Sequence, residues 1–560
     1  MRKAIVSFVL LSGMVFSGVP CTYAAAAEAY RTSSAIQIND YNCAIAGYNI
    51  NNNNYFRLRD LAYYLRDTSA KFDIVWNEGY NSIELTTGSA YTENGEDVKT
   101  YYRTIAQPTA SQLIIDGREV YAEAYNIDGN NYYKLRDLGE YIPFEVQWLE
   151  YINSVCIYAL DDNAVMSESS ENEIRRMTAA VSKANKANVI KSYIYTDDGD
   201  SVNVVDVYDG AINVDTYDAG RFRYTGNKTI PLELEKFGGF YAGEKYNYFV
   251  FGQDNTEEND RKEVIRIVRY DKQFRRIDHA SVSACYTIAP FEAGTLRMAE
   301  RGNELTIHTG RKRYTTRDGL NHQSQLTIIL DTNSMTVKND LGEFQGNHVS
   351  HSFNQFVKYD GSNTVFVDHG DAYPRSVALT KLSGGTYTQA DLFKIPGETG
   401  INSTGVTVGG LEVADRHYII AINTIEHGKV STYEHFKMIG LDVDERNVVL
   451  LISEKNNPDK VRQVRLTDYI NNDKLASTPY LVKMGSDRYM VLWEEFEYAD
   501  DGQIADNGVR YVVVDEDGIA DTRVIAETGM WLSADCQPIF LDGNVLWYVN
   551  TNAGRVFFRI

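Results

Sequence analysis

Six copies of one strand–turn–strand pattern constrain the fold of this chain more than any other feature of its sequence. In each copy an apolar segment, a tight polar turn and a second apolar segment follow one another, as in TLRMAERGNELTIHTG and PIFLDGNVLWYVN. A third apolar segment comes next, for example QLTIILD, YEHFKMIGL or RVFFRI. The turns are centred, at spacings of 59, 59, 54, 70 and 58 residues, on Gly243, Gly302, Gly361, Asp415, Gly485 and Gly543. A repeat of this length with several strands in each copy is typical of a β-propeller.

The pattern therefore predicts an all-β propeller of six blades over residues 190–560. The last copy ends at its third strand, so the fourth strand of that blade must come from elsewhere if the ring is to have no open edge. Residues 202–217 alternate apolar and polar side chains and have no partner within the pattern. We expect them to complete the last blade. A stack of separate sandwiches is the alternative, although it does not explain the even spacing.

A second repeat, of a different kind, occupies residues 35–160. NYFRLRDL at 54–61 recurs as NYYKLRDL at 131–138, and Phe72…Trp76…Asn81 recurs 72 positions later as Phe144…Trp148…Asn153. In the first copy Leu58, Leu61, Ala62 and Leu65 have the spacing of the buried stripe of a short helix. The flanking segments alternate like strands around an Asp-Gly turn. Each copy thus predicts a small α+β module, and the polar residues 161–189 predict a linker with a short helix.

These two copies resemble the copper amine oxidase N-terminal-like domain, also called the stalk domain, of secreted Gram-positive proteins. The resemblance rests on NNYFRLRDLAYYL with FDIVWNEGYNSIEL and on NNYYKLRDLGEYI with FEVQWLEYINSV. It implies a spacer or attachment module over residues 28–160. It does not imply the oxidase, because the chain has no Asn-Tyr-Asp/Glu and no His-x-His, and residues 28–160 contain no histidine to bind copper. We interpret Arg59-Asp60 and Arg136-Asp137 as structural charge pairs on the flank of the helix.

The first 27 residues have the features of a secretory signal peptide. Arg2 and Lys3 precede an apolar run, Ala4 to Val19, that is too short to span a bilayer, and the small residues Ala24 to Ala27 suit cleavage. No later segment predicts a membrane span. The expected location is secreted, extracellular or associated with the cell wall.

The charge of the chain argues against a nucleic-acid partner, and its cysteine spacing argues against a structural zinc site. The formal net charge is −22 and the pI is about 4.9, which disfavours a nucleic-acid partner because phosphate backbones need a concentrated basic surface. Cys43, Cys156, Cys285 and Cys536 are far apart and form no CxxC, so we expect free thiols and no structural zinc site.

The residues that best fit a functional site lie between His308 and Arg375, a stretch with five of the nine histidines of the chain. In a propeller, loops that join second to third strands share a face with the segments that lead into first strands. We therefore expect the loops 308–323 and 368–375 and the segment 350–353 to converge on one rim. The candidate ligand-binding residues are His308, Arg311, Asp318, His322, His351, His369, Asp371, Tyr373 and Arg375.

Three interpretations of this rim stay open. It could bind a polyhydroxylated or peptide ligand, such as an extracellular polymer or protein, with Tyr314 or Tyr373 stacking on it. It could catalyse a hydrolase, lyase or transferase reaction, with His322 or His351 as general base and Arg375 holding an anion. It could also be purely structural. We favour binding over catalysis. No cofactor is predicted, and a divalent metal has weak support because the histidine spacings match no ligand signature.

Overall fold

The computed structural model describes residues 26–93, 99–149, 153–159, 163–169, 187–197, 199–208, 210–441, 444–498, 504–527 and 529–560. The predicted linker helix at 170–186 lies outside the described residues, as does the predicted signal peptide up to residue 25. Within the described part, no helix is long and apolar enough to cross a membrane. The chain divides into two compact units, residues 1–158 and 159–560, and each is described by itself.

Strands dominate the first unit. Its described elements are β1 (Ala27–Arg31), β2 (Ala35–Ile38), β3 (Tyr41–Cys43), β4 (Gly47–Ile50), β5 (Asn53–Arg57), α1 (Leu58–Leu65), β6 (Phe72–Asn77), β7 (Ser82–Thr87), β8 (Arg103–Pro108), β9 (Gln112–Ile115), β10 (Arg118–Val120), β11 (Ala124–Ile127), β12 (Asn130–Lys134), α2 (Leu135–Leu138), β13 (Glu145–Leu149) and β14 (Ser154–Tyr158). The order β1-β4-β5-β12-β11-β8 closes a barrel, and two four-stranded sheets have the orders β10-β9-β7-β6 and β13-β14-β2-β3.

The two sequence copies are interwoven in this unit. The barrel joins corresponding strands of the two copies, β5 with β12 and β1 with β8. Inside it, the ring of Tyr48 meets Tyr132 edge-on at 5.2 Å, and Tyr125 meets Tyr55 in the same way at 5.2 Å. In each outer sheet, a hairpin of one copy pairs in parallel with a strand of the other. Two independent α+β modules are therefore not confirmed, because neither copy can close the barrel or complete its sheet alone.

The predicted helical stripe is present in α1, whose buried residues are Leu58, Leu61, Ala62 and Leu65. The predicted pairing of Arg59 with Asp60 is wrong. Asp60 instead accepts hydrogen bonds from Arg57, three positions earlier. Residues three apart lie on one face of a helical turn, whereas adjacent residues point apart.

In its described part, the second unit is built from seven antiparallel blades, each with four principal strands, which we number as blades 1 to 7. Before them comes β15 (Ala164–Ser167). Blade 1 has β16 (Ser192–Tyr195), β17 (Ser201–Tyr208), β18 (Ala211–Asp218) and β19 (Tyr224–Pro231); blade 2 has β20 (Lys236–Ala242), β21 (Asn247–Gly252), β22 (Ile265–Tyr270) and β23 (Arg276–Val282). Blade 3 has β25 (Leu296–Arg301), β26 (Glu304–Thr315), β27 (Asn321–Asp331) and β28 (Thr336–Val337), with the added strand β24 (Thr287–Pro290) beside β26.

The remaining blades follow in chain order. Blade 4 has β29 (Ser350–Asp360), β30 (Asn363–Tyr373), β31 (Arg375–Ser383) and β32 (Thr386–Lys394). Blade 5 has β33 (Val406–Val413), β34 (His417–Thr424), β37 (Asn447–Glu454) and β38 (Asn457–Arg465), with a 3-10 turn (His427–Lys429) and the hairpin β35 (Thr432–Tyr433) and β36 (Met438–Ile439) between its second and third strands. Blade 6 has β40 (Tyr480–Lys483), β41 (Tyr489–Tyr498), β42 (Ile504–Val514) and β43 (Ile525–Glu527), with β39 (Lys474–Ala476) beside β41; blade 7 has β44 (Ile539–Leu541), β45 (Asn544–Thr551) and β46 (Gly554–Arg559), and β15 is its outer strand.

Apolar cores between neighbouring blades hold the blades in a ring. Successive side chains of a strand point to opposite faces of its sheet. In β17, Val202 and Val204 pack with blade 7, whereas Val205 and Val207 pack with blade 2. Further cores join blades 2 and 3, 4 and 5, 5 and 6, and 6 and 7. Blades 3 and 4 are joined through one continuous sheet. The propeller expectation is confirmed.

A buried ion-pair network closes the ring between blades 7 and 1. The guanidinium of Arg555 on β46 donates to Asp206 at 2.6 Å and to Asp215 at 2.8 Å, and Asp206 also accepts from Tyr548 and from Ser192. Arg555 and both carboxylates are fully buried. Since two buried carboxylates are costly without a counter-charge, Arg555 stabilises the junction by compensating both.

The predictions of six blades and of the closing segment are wrong. Residues 202–217 form the two middle strands of a blade of their own, and β15, inside the predicted linker, completes blade 7. Blade 1 was missed because the alternation of residues 202–217 does not show that they pair with β16 and β19 rather than with the last blade. All six predicted turns join first to second strands. The third strand of blade 5 is β37, not 433–441, because the hairpin β35–β36 lies in between.

We expect Arg555→Met to lower the free energy of unfolding by about 3–5 kcal/mol, because it removes the buried cation that Asp206 and Asp215 share. Urea unfolding followed by tryptophan fluorescence measures this. Arg275→Met is the matched control, since it removes the same charge from an exposed pair with Asp271, and it should leave the unfolding midpoint close to that of the wild type. Equal midpoints for the two variants would contradict the closing role of Arg555.

Candidate functional site

The candidate site lies where blades 3 and 4 share a sheet. Strands β26, β27, β29 and β30 have 11 or 12 residues, and their extra length runs towards the face at which second and third strands are joined. There β27 pairs with β29 through Ser324 and Ser350. This pairing places His322 on β27 and His351 on β29 side by side.

His322 is held by an aspartate of its own hairpin. The loop 316–320 joins β26 to β27, and Asp318 in it accepts hydrogen bonds from the Thr316 hydroxyl, the Leu320 amide and, at 2.7 Å, Nε2 of His322. These bonds, that from Thr316 first, hold the pKa of Asp318 well below its usual range. Asp318 is half-exposed and His322 is partly exposed, so the pair faces solvent with a fixed imidazole.

His351 is held in a strained conformation by a buried aspartate. Its φ of +55° is unfavourable for a residue with a side chain, and it falls at a register shift between Ser350 and Ser352. Its Nδ1 donates to Oδ1 of Asp371 at 2.9 Å, and Asp371 is fully buried. Strain of this kind persists only where the surroundings impose it. The bulge thus directs one imidazole outwards from a carboxylate fixed inside the sheet.

The two imidazoles form a pair. Their ring centroids are 6.3 Å apart with 27° between the planes. Each uses one nitrogen for its aspartate, so Nδ1 of His322 and Nε2 of His351 remain available. Among the described residues neither atom has a hydrogen-bond partner. Tyr373, which lies opposite Ser350 in the sheet, is 70% exposed.

Three predicted site residues are instead part of the interior. His308 lies on β26 and is fully buried between Thr327 at 2.9 Å and Asp368 at 3.1 Å. Arg311, also on β26, is fully buried and donates to the carbonyls of Cys285, Leu341, Gly342 and Glu343. His369 is buried on β30, with Nε2 3.0 Å from the Thr404 hydroxyl. Their assignment to a loop was wrong, because the strands extend further than the apolar pattern does.

Arg375, predicted to hold an anion, is bonded to backbone carbonyls in the structure. Its guanidinium donates to the carbonyls of Pro396, Asp371, Ile401 and Ser403, at 2.9, 3.2, 2.5 and 2.7 Å. Burial lowers its pKa. Because its donors are committed to the backbone, Arg375 fixes the loop 396–403 against β30 and supports Asp371 from behind.

The described residues contain no group of three or more His, Cys, Asp or Glu side chains that could hold a metal ion. The four cysteines among the described residues are free thiols, as expected, and three of them are buried. The site therefore offers two imidazoles, two carboxylates and an exposed phenol ring as its chemistry.

A second polar feature of the propeller was missed from the sequence. A cavity of about 730 Å³ lies among first strands, between residues such as Arg297, Phe356, Leu411 and Leu481. The Arg297 guanidinium stacks over Phe356 at 4.9 Å, and its buried Nη1 has no hydrogen-bond partner among the described residues. Burial lowers its pKa. The local sequence TLRMAE gives no signal of this, since strand alternation alone does not show which side chains meet across a ring.

Comparisons with known proteins concern the fold alone. No protein-family model matches the sequence, and no curated protein is significantly similar to it. Among solved structures, hydrazine synthase of Kuenenia stuttgartiensis is similar at 10% identity, with a TM-score of 0.38 over 67% of this chain and 97% of that one. The β-propeller domain of Cps50 (Swd1) from Myceliophteria thermophila is 8% identical, with a TM-score of 0.35 over 67% and 98%. The β-propeller domain of the trilobed protease of Pyrococcus furiosus is 12% identical, with a TM-score of 0.33 over 66% and 93%.

Acid should destabilise the protein through its buried histidines. Burial lowers the pKa of His369 to about 3 and the pKa values of His348 and His427 to about 4. The unfolded chain takes up these protons at higher pH than the folded chain. Stability is therefore fully present above the unfolded pKa and is lost as the pH falls towards these values, at about 1.4 kcal/mol per pKa unit for each group.

The contribution of His369 can be isolated with His369→Asn. We expect the wild type to exceed the variant in unfolding free energy by less as the pH falls from about 7.5 to about 5. The reason is that the unfolded wild-type chain binds a proton at His369 that the folded chain excludes, whereas the variant has no imidazole there. Urea titrations across that range measure it. A difference that stays constant with pH would contradict the assignment.

We expect Arg297→Met to raise the thermal midpoint, because it replaces an unpaired, largely buried guanidinium with an apolar side chain of similar length. Arg301→Met serves as the comparison on the same strand. Arg301 donates to the Gly361 carbonyl at 2.9 Å and to Glu304 at 3.1 Å, so its loss should leave the midpoint unchanged or lower. A fall in the midpoint of Arg297→Met would show that the guanidinium is a structural element.

Proposed function

We propose that this protein recognises an extracellular ligand through the His322–His351 pair on the rim of its propeller. The observation that supports this best is the fixed orientation of two solvent-facing imidazoles, each with an aspartate on one nitrogen and the other nitrogen available. Such groups are costly to hold rigid at a surface, and the strained backbone of His351 adds to that cost. The proposed class of ligand is a carbohydrate, a peptide or a polymer of the cell wall.

The chemistry of the rim fits a ligand rich in hydroxyl or amide groups. A neutral imidazole donates from one nitrogen and accepts at the other. Since Asp318 and Asp371 accept from the bound nitrogens, the available nitrogens of the neutral rings are acceptors for ligand O–H or N–H groups. The exposed ring of Tyr373 provides an apolar surface next to them.

The remaining parts of the proposal concern where the protein works. A signal peptide at residues 1–27 would export it, and the duplicated unit, in keeping with its resemblance to stalk domains, would attach or space the propeller at the cell wall. Its strongly acidic composition suits neither nucleic acid nor anionic lipid as a partner.

Catalysis at the same rim is a second candidate, favoured by one specific observation. Asp371 is fully buried and bonded to Nδ1 of His351, which is the arrangement that orients an imidazole as a general base and stabilises its protonated form. In that case Nε2 of His351 would take a proton from a substrate hydroxyl or from water.

The experiment is calorimetric titration of the full chain with two probes, an N-acetylglucosamine oligomer and a short peptide. His351→Asn is the main variant, because asparagine tolerates positive φ and its amide can still donate to Asp371. We expect it and His322→Gln to weaken binding of the accepted probe about tenfold while leaving the fold intact. His279→Gln, on the outer strand of blade 2, is the matched control and should bind like the wild type.

The same samples decide between the two candidates. Chromatography of the mixtures after incubation shows whether either probe is cleaved. Binding without products supports recognition, whereas products that form with the wild type and vanish in His351→Asn support catalysis. Unchanged binding in both rim variants would overturn the proposal.

A further inference from the structure

The first unit contains two grooves whose lining residues correspond at most positions. One, of about 440 Å³, is lined by Arg57, Arg59, Ile74, Trp76, Asn81, Asn126, Asn130 and Asn131. The other, of about 530 Å³, is lined by the corresponding residues of the opposite copies: Lys134, Arg136, Val146, Trp148, Asn153, Asn49, Asn53 and Asn54. The repeat thus produces two versions of one surface rather than two random depressions.

Each groove needs both sequence copies. In the first groove, Trp76 and Arg59 come from one copy and Asn130 and Asn131 come from the turn and strand of the other. The amide pairs are also equivalent, since Asn126 donates to Asn131 at 3.0 Å and Asn49 donates to Asn54 at 3.1 Å. The exchange of strands is therefore what assembles the two surfaces.

The tryptophans are placed as exposed platforms. Trp76 is 46% and Trp148 is 42% exposed, and they occupy corresponding positions of β6 and β13. A half-exposed indole costs stability unless something covers it. In both copies it has the same polar neighbours, so a local packing accident does not explain it.

Charge separates these grooves from the rest of the unit. Residues 28–158 contain 10 basic and 18 acidic side chains. Five of the basic ones line the grooves, namely Arg57 and Arg59 in one and Arg31, Lys134 and Arg136 in the other, and none of the described lining residues is acidic. The guanidinium groups of Arg59 and Arg136 make no hydrogen bond or ion pair with any described residue.

We propose that the two grooves are equivalent binding sites for an acidic polysaccharide, one whose sugar units carry carboxylates. Sugar rings present apolar C–H faces that stack on indole, while guanidinium groups bind carboxylates in a planar, bidentate way. Asparagine amides donate to and accept from hydroxyl groups. The two sites are in the unit that was expected to be only a spacer, and they are independent of the His322–His351 rim.

Titration of the full chain with a short oligogalacturonate tests this through stoichiometry. We expect two sites per chain in the wild type and one in either Trp76→Ala or Trp148→Ala. The double variant should lose binding. Tyr102→Ala, which removes an 85% exposed ring from the same unit outside both grooves, is the matched control and should keep two sites.

The role of charge has its own comparison. Arg59→Gln combined with Arg136→Gln should weaken oligogalacturonate binding about tenfold or more without changing the stoichiometry. A neutral oligosaccharide of equal length should bind the wild type much more weakly. Retention of two sites in both tryptophan variants, equal binding of the neutral oligomer, or no binding by the wild type would overturn the proposal. A finding that His322→Gln and His351→Asn bind like the wild type would not affect this test, because those histidines are absent from both grooves.

Discussion

The junction between the last blade and the first is the interaction on which the propeller depends. In a ring of blades, the contact between the last blade and the first joins segments that are not consecutive in the chain. Three kinds of interaction stabilise this seam. The outer strand β15 supplies the missing edge of blade 7, an apolar core joins Val202 and Val204 to blades 6 and 7, and Arg555 compensates the buried Asp206 and Asp215. An apolar core tolerates small shifts, whereas buried charges do not. The ion pairs therefore fix the angle at which the seam closes.

Closure determines where each inner strand sits, but the rim site depends on a departure from ordinary blade geometry. Blades 3 and 4 share a sheet because β26, β27, β29 and β30 are unusually long and β27 pairs with β29. The bulge at His351 then turns one side chain outwards, and Asp371 fixes it from below. Arg375 supports Asp371 through its backbone carbonyl. A chain of fixed groups, rather than a deep pocket, thus gives the rim its geometry.

The sequence predicted what depends on local periodicity and missed what depends on contacts between distant segments. Turn positions were predictable because Gly302, Gly361 and Gly543 adopt positive φ between two apolar strands, a purely local requirement. Blade 1 was missed because strand alternation in residues 202–217 does not show which strands they pair with. Of the site residues, Asp318, His322, His351 and Asp371 come together, but His308, Arg311 and His369 are buried in extended strands. Polar residues such as Thr309, Arg311 and Ser324 interrupt the apolar pattern of these strands. They can be buried because they have hydrogen-bond partners, and those partners cannot be identified from the neighbouring sequence.

The same reasoning applies to charge. A net charge of −22 disfavours polyanionic partners over the surface as a whole, but it says nothing about individual grooves. Arg297, Arg59 and Arg136 each lack a hydrogen-bonded partner among the described residues. The chain nevertheless has more acidic than basic side chains, 77 against 55. When carboxylates are abundant and a basic side chain still has none beside it, the fold holds the two apart. Unsatisfied cations in an acidic protein are thus stronger indicators of an anionic ligand than basic residues in a basic one.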